Sequence, residues 1–204
     1  MTQPVYSLSF TAGSLFHLES MKLMELYAAH ANWESVRQAV LANNLLQVRT
    51  QGTALRFTRE IISRLRTLAP EEGTLLLQAD YSDQKYILWA ALCRRYTFIA
   101  DFSVEVLHDR FVTLNSSIGQ DVYDAFWNRK AEWHDEMNAI APATKKKLRQ
   151  VLFKTMREAN VLEKNGTIIP MLPSNIMRRF LAFSRYSEAA WFPVLPSEFA
   201  GAKA

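Results

Sequence analysis

The sequence predicts a mainly α-helical protein, an N-terminal helical bundle followed by a C-terminal winged helix-turn-helix-like domain with one small β-hairpin. Three observations carry this. Apolar residues recur at spacings of three and four in segment after segment, the period of a helix with one buried side. The 204 residues include only six Gly and seven Pro, so long regular elements are seldom interrupted. One Asn165-Gly166 pair stands between Val161-Leu162 and Ile168-Ile169, the pattern of a two-residue hairpin turn.

Taken in order, residues 1–13 read as extended or irregular, with Pro4 and alternating Val5, Leu8 and Phe10. Thr11 or Ser14 is expected to cap a helix to about His30, and Asn32 the helix that follows. Leu45 to Val48 is a short apolar link. Thr50 or Thr53 starts a helix through Leu68, stopped by Pro70. Glu71 to Ala79 is a short helix. Asp80 or Ser82 caps the most apolar segment, Tyr86 to Tyr96, which should lie at the centre of the bundle. Thr97 interrupts it, and a helix with Phe98, Phe102, Val106 and Phe111 inward runs to Leu114. The polar stretch Asn115 to Gly119 divides the chain into 1–116, the helical domain, and 117–204, the winged-helix-like domain with a C-terminal tail. In the second part Asp121 starts a helix to about Trp133. One helical turn over Met137 to Ile140 follows, then a basic helix from Pro142 or Thr144 to about Asn160, then the hairpin. Ser174 caps a last helix to about Phe183. Helix, short helix, basic helix and hairpin in that order are the elements of a winged helix, with the basic helix for recognition and Lys164-Asn165-Gly166 as wing tip.

Composition bounds the function. Half the residues are hydrophobic, enough for a core. A single cysteine, Cys93, excludes an internal disulfide framework and fits a reducing compartment. No signal-peptide pattern opens the sequence. Its longest strongly apolar run, Ile87 to Cys93, is far shorter than the ~20 residues of a membrane span. The expectation is a cytoplasmic protein without membrane contact. Net charge is +4, but Pro142 to Arg179 alone carries nine bases and two acids, so the rest of the chain is net negative. Basicity concentrated in one stretch points to an anionic partner.

On a helical wheel Leu148, Val151, Leu152, Thr155 and Ala159 gather on one side of the basic helix, with Met156 at its edge. Lys146, Gln150, Phe153, Lys154 and Arg157 lie opposite, with Lys147 and Arg149 flanking. Lys and Arg can contact phosphate oxygens, and Gln150 could read a base edge. The candidate DNA-binding residues are therefore Lys145, Lys146, Lys147, Arg149, Gln150, Lys154 and Arg157 on the helix, with Lys164 and Asn165 on the turn. A second, weaker stripe of Arg56, Arg59 and Arg66 lines one face of the earlier helix at 53–68. The alternative for the same basic helix is a solvated face, or a face that docks an acidic protein with Phe153 and the Trp191-Phe192 tail as anchors.

Catalytic chemistry is not legible. His17, His30, His108 and His134 are scattered and share no metal-ligand spacing with Cys93. No Gly-rich phosphate loop is present. Asp101, Glu105 and Asp109 repeat at spacing four, as carboxylates of a nuclease could, but are expected to pair with Arg94, Arg95 or Arg110. No enzyme, metal or cofactor is predicted.

Seven stretches resemble one family, the BrxA proteins of bacteriophage-exclusion (BREX) defence systems: Ser9-Phe-Thr-Ala-Gly-Ser14, Asn44-Leu-Leu-Gln-Val-Arg-Thr50, Ser63-Arg-Leu-Arg66, Trp89-Ala-Ala-Leu-Cys-Arg-Arg-Tyr96, Ala131-Glu-Trp-His134, Lys146-Lys-Leu-Arg-Gln-Val-Leu-Phe153 and Trp191-Phe-Pro-Val194. They extend over nearly the whole chain. The resemblance implies a small cytoplasmic, non-catalytic protein that binds double-stranded DNA and acts beside a methyltransferase, an ATPase and other BREX components.

Overall fold

A computed structural model describes residues 5–11, 13–183, 186–195 and 198. Pro4 and the last residues of the expected tail lie outside them. The mainly helical expectation holds. Helices α1 (His17–His30), α2 (Trp33–Ala42), α3 (Gln51–Leu65) and α4 (Pro70–Gln78) surround α5 (Tyr81–Arg95). Asn32, Thr50 and Asp80 cap α2, α3 and α5, their side-chain oxygens accepting first-turn N–H groups. In α5 every residue from Tyr86 to Cys93 is buried, which is why its apolar residues run around the whole helix. Cys93 packs there, and burial pushes its thiol pKa far up.

α6 (Thr97–Phe102) continues through a π-helical turn, Ser103–His108, into α7 (Asp109–Val112). The N–H of Asp109 reaches the carbonyl of Val104, five residues back. Then come α8 (Gln120–Ala131), α9 (Asp135–Asn138), α10 (Pro142–Glu158) and α11 (Asn175–Phe183), followed by a 3-10 segment, Tyr186–Trp191. Ser174 caps α11, accepting from the N–H of Met177.

Between α10 and α11 the chain turns at Asn165-Gly166. Glu163 N–H donates to the Thr167 carbonyl at 2.8 Å and Ile169 N–H to the Val161 carbonyl at 3.1 Å. Residues 116–118 lie along the other side, exchanging bonds with Gly166 and Ile168. Gly166 has φ +92°, and a Cβ there would meet the Ile118 carbonyl oxygen at 2.8 Å, so the turn requires glycine. The pairing amounts to isolated antiparallel bridges, Leu162 with Ile168 and Ser117 with Thr167, in place of the expected two-stranded hairpin. The reason is local: Asn160 adopts a left-handed φ of 60° just before it, and Pro170, which has no N–H, closes it.

Both termini cross the molecule. Tyr6 donates its N–H to Glu136 at 2.6 Å and its ring stacks on His134. Leu15 N–H donates to Glu158, at the end of α10, at 2.6 Å. In return, α11 and the 3-10 segment pack on α5. Trp89 Nε1–H donates to the Trp191 carbonyl at 3.0 Å, and Ser174 donates to Asp83 at 2.5 Å. Arg94 is clamped between Glu72 and Glu188. One core of buried residues runs from Tyr6 to Val194, on both sides of the expected boundary at 116/117.

Three local expectations are corrected. α1 begins at His17, later than a Thr11 or Ser14 cap implies. Phe16 precedes it in the left-handed region, held against Phe57, and Leu15 N–H is committed to Glu158. Trp133 falls outside α8 and is 73% exposed. Asp101 and Glu105 pair with Lys130 and Arg129, not with Arg94, Arg95 or Arg110. Arg94 is turned inward, and Arg110 donates to Ser117 and Asn115.

Candidate nucleic-acid interface

α10 places the expected cations because its apolar row is consumed by the core. Leu148, Val151, Leu152, Thr155, Met156 and Ala159 are buried, so Lys146, Lys147, Gln150, Lys154 and Arg157 are forced outward and exposed. Burying those five apolar side chains and the Thr155 methyl, at about 1.5–3 kcal/mol for each large one, outweighs the few tenths of a kcal/mol that three lysines near a helix N-terminus cost.

The expected bases do not behave alike. Arg149 donates to Asp124 of α8 at 2.5 Å, and Lys145 lies 3.8 Å from the same carboxylate. Lys145 also sits over the Trp127 ring at 5.3 Å. These two are half-buried and partly neutralised. Lys154 lies 3.6 Å from Glu158, whose other oxygen accepts from Leu15. Among the described residues Lys146, Lys147 and Arg157 have no ion-pair or hydrogen-bond partner. Phe153 is half-buried, its ring edge-on to Tyr123 of α8. The Tyr123 hydroxyl is buried without a partner, and burial raises its pKa, so the ring stays neutral beneath Phe153.

Lys146, Gln150, Phe153 and Arg157 repeat at spacings of four, three and four. They converge with Arg149, and with Gln120 at the start of α8, on a cleft of about 220 Å³. Lys154 instead lines a second cleft of about 290 Å³, with Lys85, His17, Tyr81, Glu19 and Glu158 among its walls. Lys164 and Asn165 are exposed on the turn, where Asn165 Oδ1 accepts the N–H of Thr167 at 2.9 Å.

On α3, Arg56, Arg59 and Arg66 are exposed as the spacing predicts. Arg64, on the same helix, is buried. It pairs with Glu60 at 2.8 Å and donates to the Ser14 carbonyl. The two clefts beside α10 contain none of the α3 arginines. Residues that the sequence did not nominate are Asp124 and Gln120. Both lie on α8, about 20 positions or more from their neighbours on α10, and no local pattern marks them.

The comparisons with known proteins follow this geometry. A sequence model of BrxA matches residues 4–185. The chain belongs to the BrxA family. It is 23% identical over 165 residues to a protein named BREX protein BrxA from Escherichia coli O9:H4 (strain HS), covering 79% of this chain and 78% of that one. A BREX protein BrxA of Paramagnetospirillum magneticum (strain AMB-1) is also 23% identical, over 82% and 84% of the two chains. One from Bacillus cereus (strain H3081.97) is 20% identical. The crystal structure of an uncharacterized protein from Magnetospirillum magneticum superposes with a TM-score of 0.78 at 19% identity, covering 93% of this chain and 98% of that one, so the whole fold is shared. Among the described residues no helix is long and apolar enough to cross a membrane.

Proposed function

We propose that this chain is a cytoplasmic, double-stranded DNA-binding accessory protein of a BREX phage-defence system, without catalytic activity of its own. The family and the names of its relatives support the setting. The outer face of α10 carries the binding reading: Lys146, Lys147 and Arg157 lie exposed without partners among the described residues, with Gln150 between them. The helical elements around α8, α9 and α10, with the turn at 163–166, act as a winged helix in which α10 lies along the duplex and Lys164 and Asn165 touch the flanking backbone. Gln150 and Asn165 are the only amides among the nominated residues, and Asn165 already accepts a bond within its own turn, so binding is sequence-tolerant. Two of the three carboxylates of the nuclease alternative, Asp101 and Glu105, are committed to Lys130 and Arg129, which counts against it. Partners such as the methyltransferase and ATPase of the system act beside it.

Fluorescence anisotropy with a labelled duplex tests the reading. Four or five phosphate contacts predict that log affinity falls against log salt with a slope of about −4. An affinity that is absent, or equal at roughly 50 and 200 mM salt, would sink it.

A second reading, an adaptor that docks a protein, is favoured by one observation. Trp133 stands 73% exposed on the α8–α9 connection. Of the anchors expected for that role, Phe153 and Trp191 are partly buried against the core and Phe192 is completely buried. Co-purification with a partner that survives nuclease treatment and is lost in Trp133→Ala, together with no duplex binding, would replace the first reading.

A further inference from the structure

We propose that the cleft between the start of α8 and the outer face of α10 is a seat for a single phosphate group. Gln120, Arg149 and Gln150 hold its oxygens, and Lys146 and Arg157 supply the attraction. The inference deepens the DNA reading and rests on it for the source of the phosphate, a backbone phosphodiester.

The lining decides the ligand class. Lys146, Arg149 and Arg157 are cations, Gln120 and Gln150 contribute amide donors, and Phe153 is the apolar wall; no carboxylate lines the cleft. The cleft beside Lys154 differs, because Glu19 and Glu158 are among its walls and would repel an anion. At about 220 Å³ the α8–α10 cleft is smaller than the ~300–1,000 Å³ of small-molecule sites, so a single phosphate fits it better than a whole cofactor.

Arg149 is prepared for this work. It spends one Nη1–H on Asp124 at 2.5 Å, which fixes the side chain at the cleft wall. A guanidinium has five N–H donors in a rigid fork, so the remainder stay available for an anion. Side-chain ordering that a free lysine must undergo on binding has already taken place at Arg149. Gln120 is the first residue of α8, whose N-terminus has no side-chain cap. The helix end therefore adds potential of the same sign as the three cations.

Gln120→Glu is the informative substitution. It puts a carboxylate into the seat, while an acid at the first position of a helix favours folding, so the thermal melt should not fall. Gln38→Glu, on the exposed face of α2, matches the charge change away from the cleft. Gln120→Glu is expected to weaken duplex affinity roughly tenfold near ~0.1 M salt and to flatten the salt slope by about one. Gln38→Glu should change affinity less than about twofold. If the wild type binds duplex and the two variants behave alike, the seat is overturned and the DNA reading stands. If the wild type does not bind duplex, inorganic phosphate is titrated while the Gln120 and Gln150 side-chain amide resonances are followed. Shifts in the wild type that vanish in Gln120→Glu would keep the seat for a free phosphate and reject DNA. No shifts in the wild type would overturn both.

Discussion

α3 and α10 carry similar rows of bases, yet the two helices use them differently. In α3 one base, Arg64, points into the core and is held by Glu60 and the Ser14 carbonyl. In α10 the bases nearest α8, Lys145 and Arg149, share Asp124, while Lys146, Lys147 and Arg157 project without partners. A base that is buried and paired supports the fold, and its removal is felt as instability. A base that is exposed and unpaired contributes little to folding and is available for an anion. The difference teaches that a local charge count overstates the binding surface wherever a neighbouring helix brings an acid.

The largest effect expected from breaking this contrast is on stability. Arg64→Met leaves Glu60 partly buried and without its cation, so unfolding free energy should fall by about 3 kcal/mol, read from urea denaturation. Duplex affinity of the folded fraction should not change. A variant as stable as the wild type would show that the buried pair is idle. Next comes the triple change Lys146→Glu, Lys147→Glu and Arg157→Glu. It should lower duplex affinity by roughly a hundredfold or more near ~0.1 M salt and leave the melt close to wild type. The matched α3 triple, Arg56→Glu, Arg59→Glu and Arg66→Glu, sharpens the comparison: an equal loss would make α3 a second arm of the interface, and no loss would leave it a solvated face.

A smaller effect, in the opposite direction, is expected at the acid between α8 and α10. Asp124→Asn frees Lys145 and Arg149, and a partly exposed pair of this kind is worth about 1 kcal/mol or less. Duplex affinity should rise about threefold as its salt slope steepens by up to about one. A fall in affinity would mean that Asp124 matters more for positioning Arg149 than for neutralising it.

The smallest effect concerns the N-terminal strap. Burial pushes the Glu136 carboxyl up, but the N–H of Tyr6, its own N–H and His134 together outweigh it and hold the carboxyl below the ordinary value of 4.5. A carboxyl with a lowered folded-state pKa stabilises above its unfolded value, and the contribution is lost as pH falls through the folded value. Thermal melts of wild type and Glu136→Gln should therefore differ at pH 7 and converge once the pH falls below the ordinary carboxylate range. A difference that grows on acidification would reverse the assignment.

How far the chain could be read depended on where each controlling interaction comes from. The starts of α2, α5 and α11 were legible because Asn32, Asp80 and Ser174 accept amide N–H groups within three residues, and that of α10 because Pro142 fixes its own φ and has no N–H to lose at a first helical position. The π turn had a faint signal in the inward residues Phe98, Phe102, Val106 and Phe111, whose last step is five instead of four. The start of α1 had none, since Glu158 binds Leu15 from 143 positions away. The candidate site divides in the same way. Exposure of Lys146, Lys147, Gln150, Lys154 and Arg157 followed from the buried row beside them, whereas the roles of Lys145, Arg149 and Gln120 depend on α8.

By itself, then, the sequence determined the helical class, the buried and presented sides of α10, the glycine turn at Gly166 and the family motifs. All of these rest on periodicity or on contacts a few residues apart. Only the tertiary structure decided which cations are free, that both termini cross to the opposite half, and that Gln120 and α10 enclose an acid-free cleft. Those outcomes depend on which helix packs against which, and a charge is cancelled or left available only when the packing brings its partner within a few ångströms.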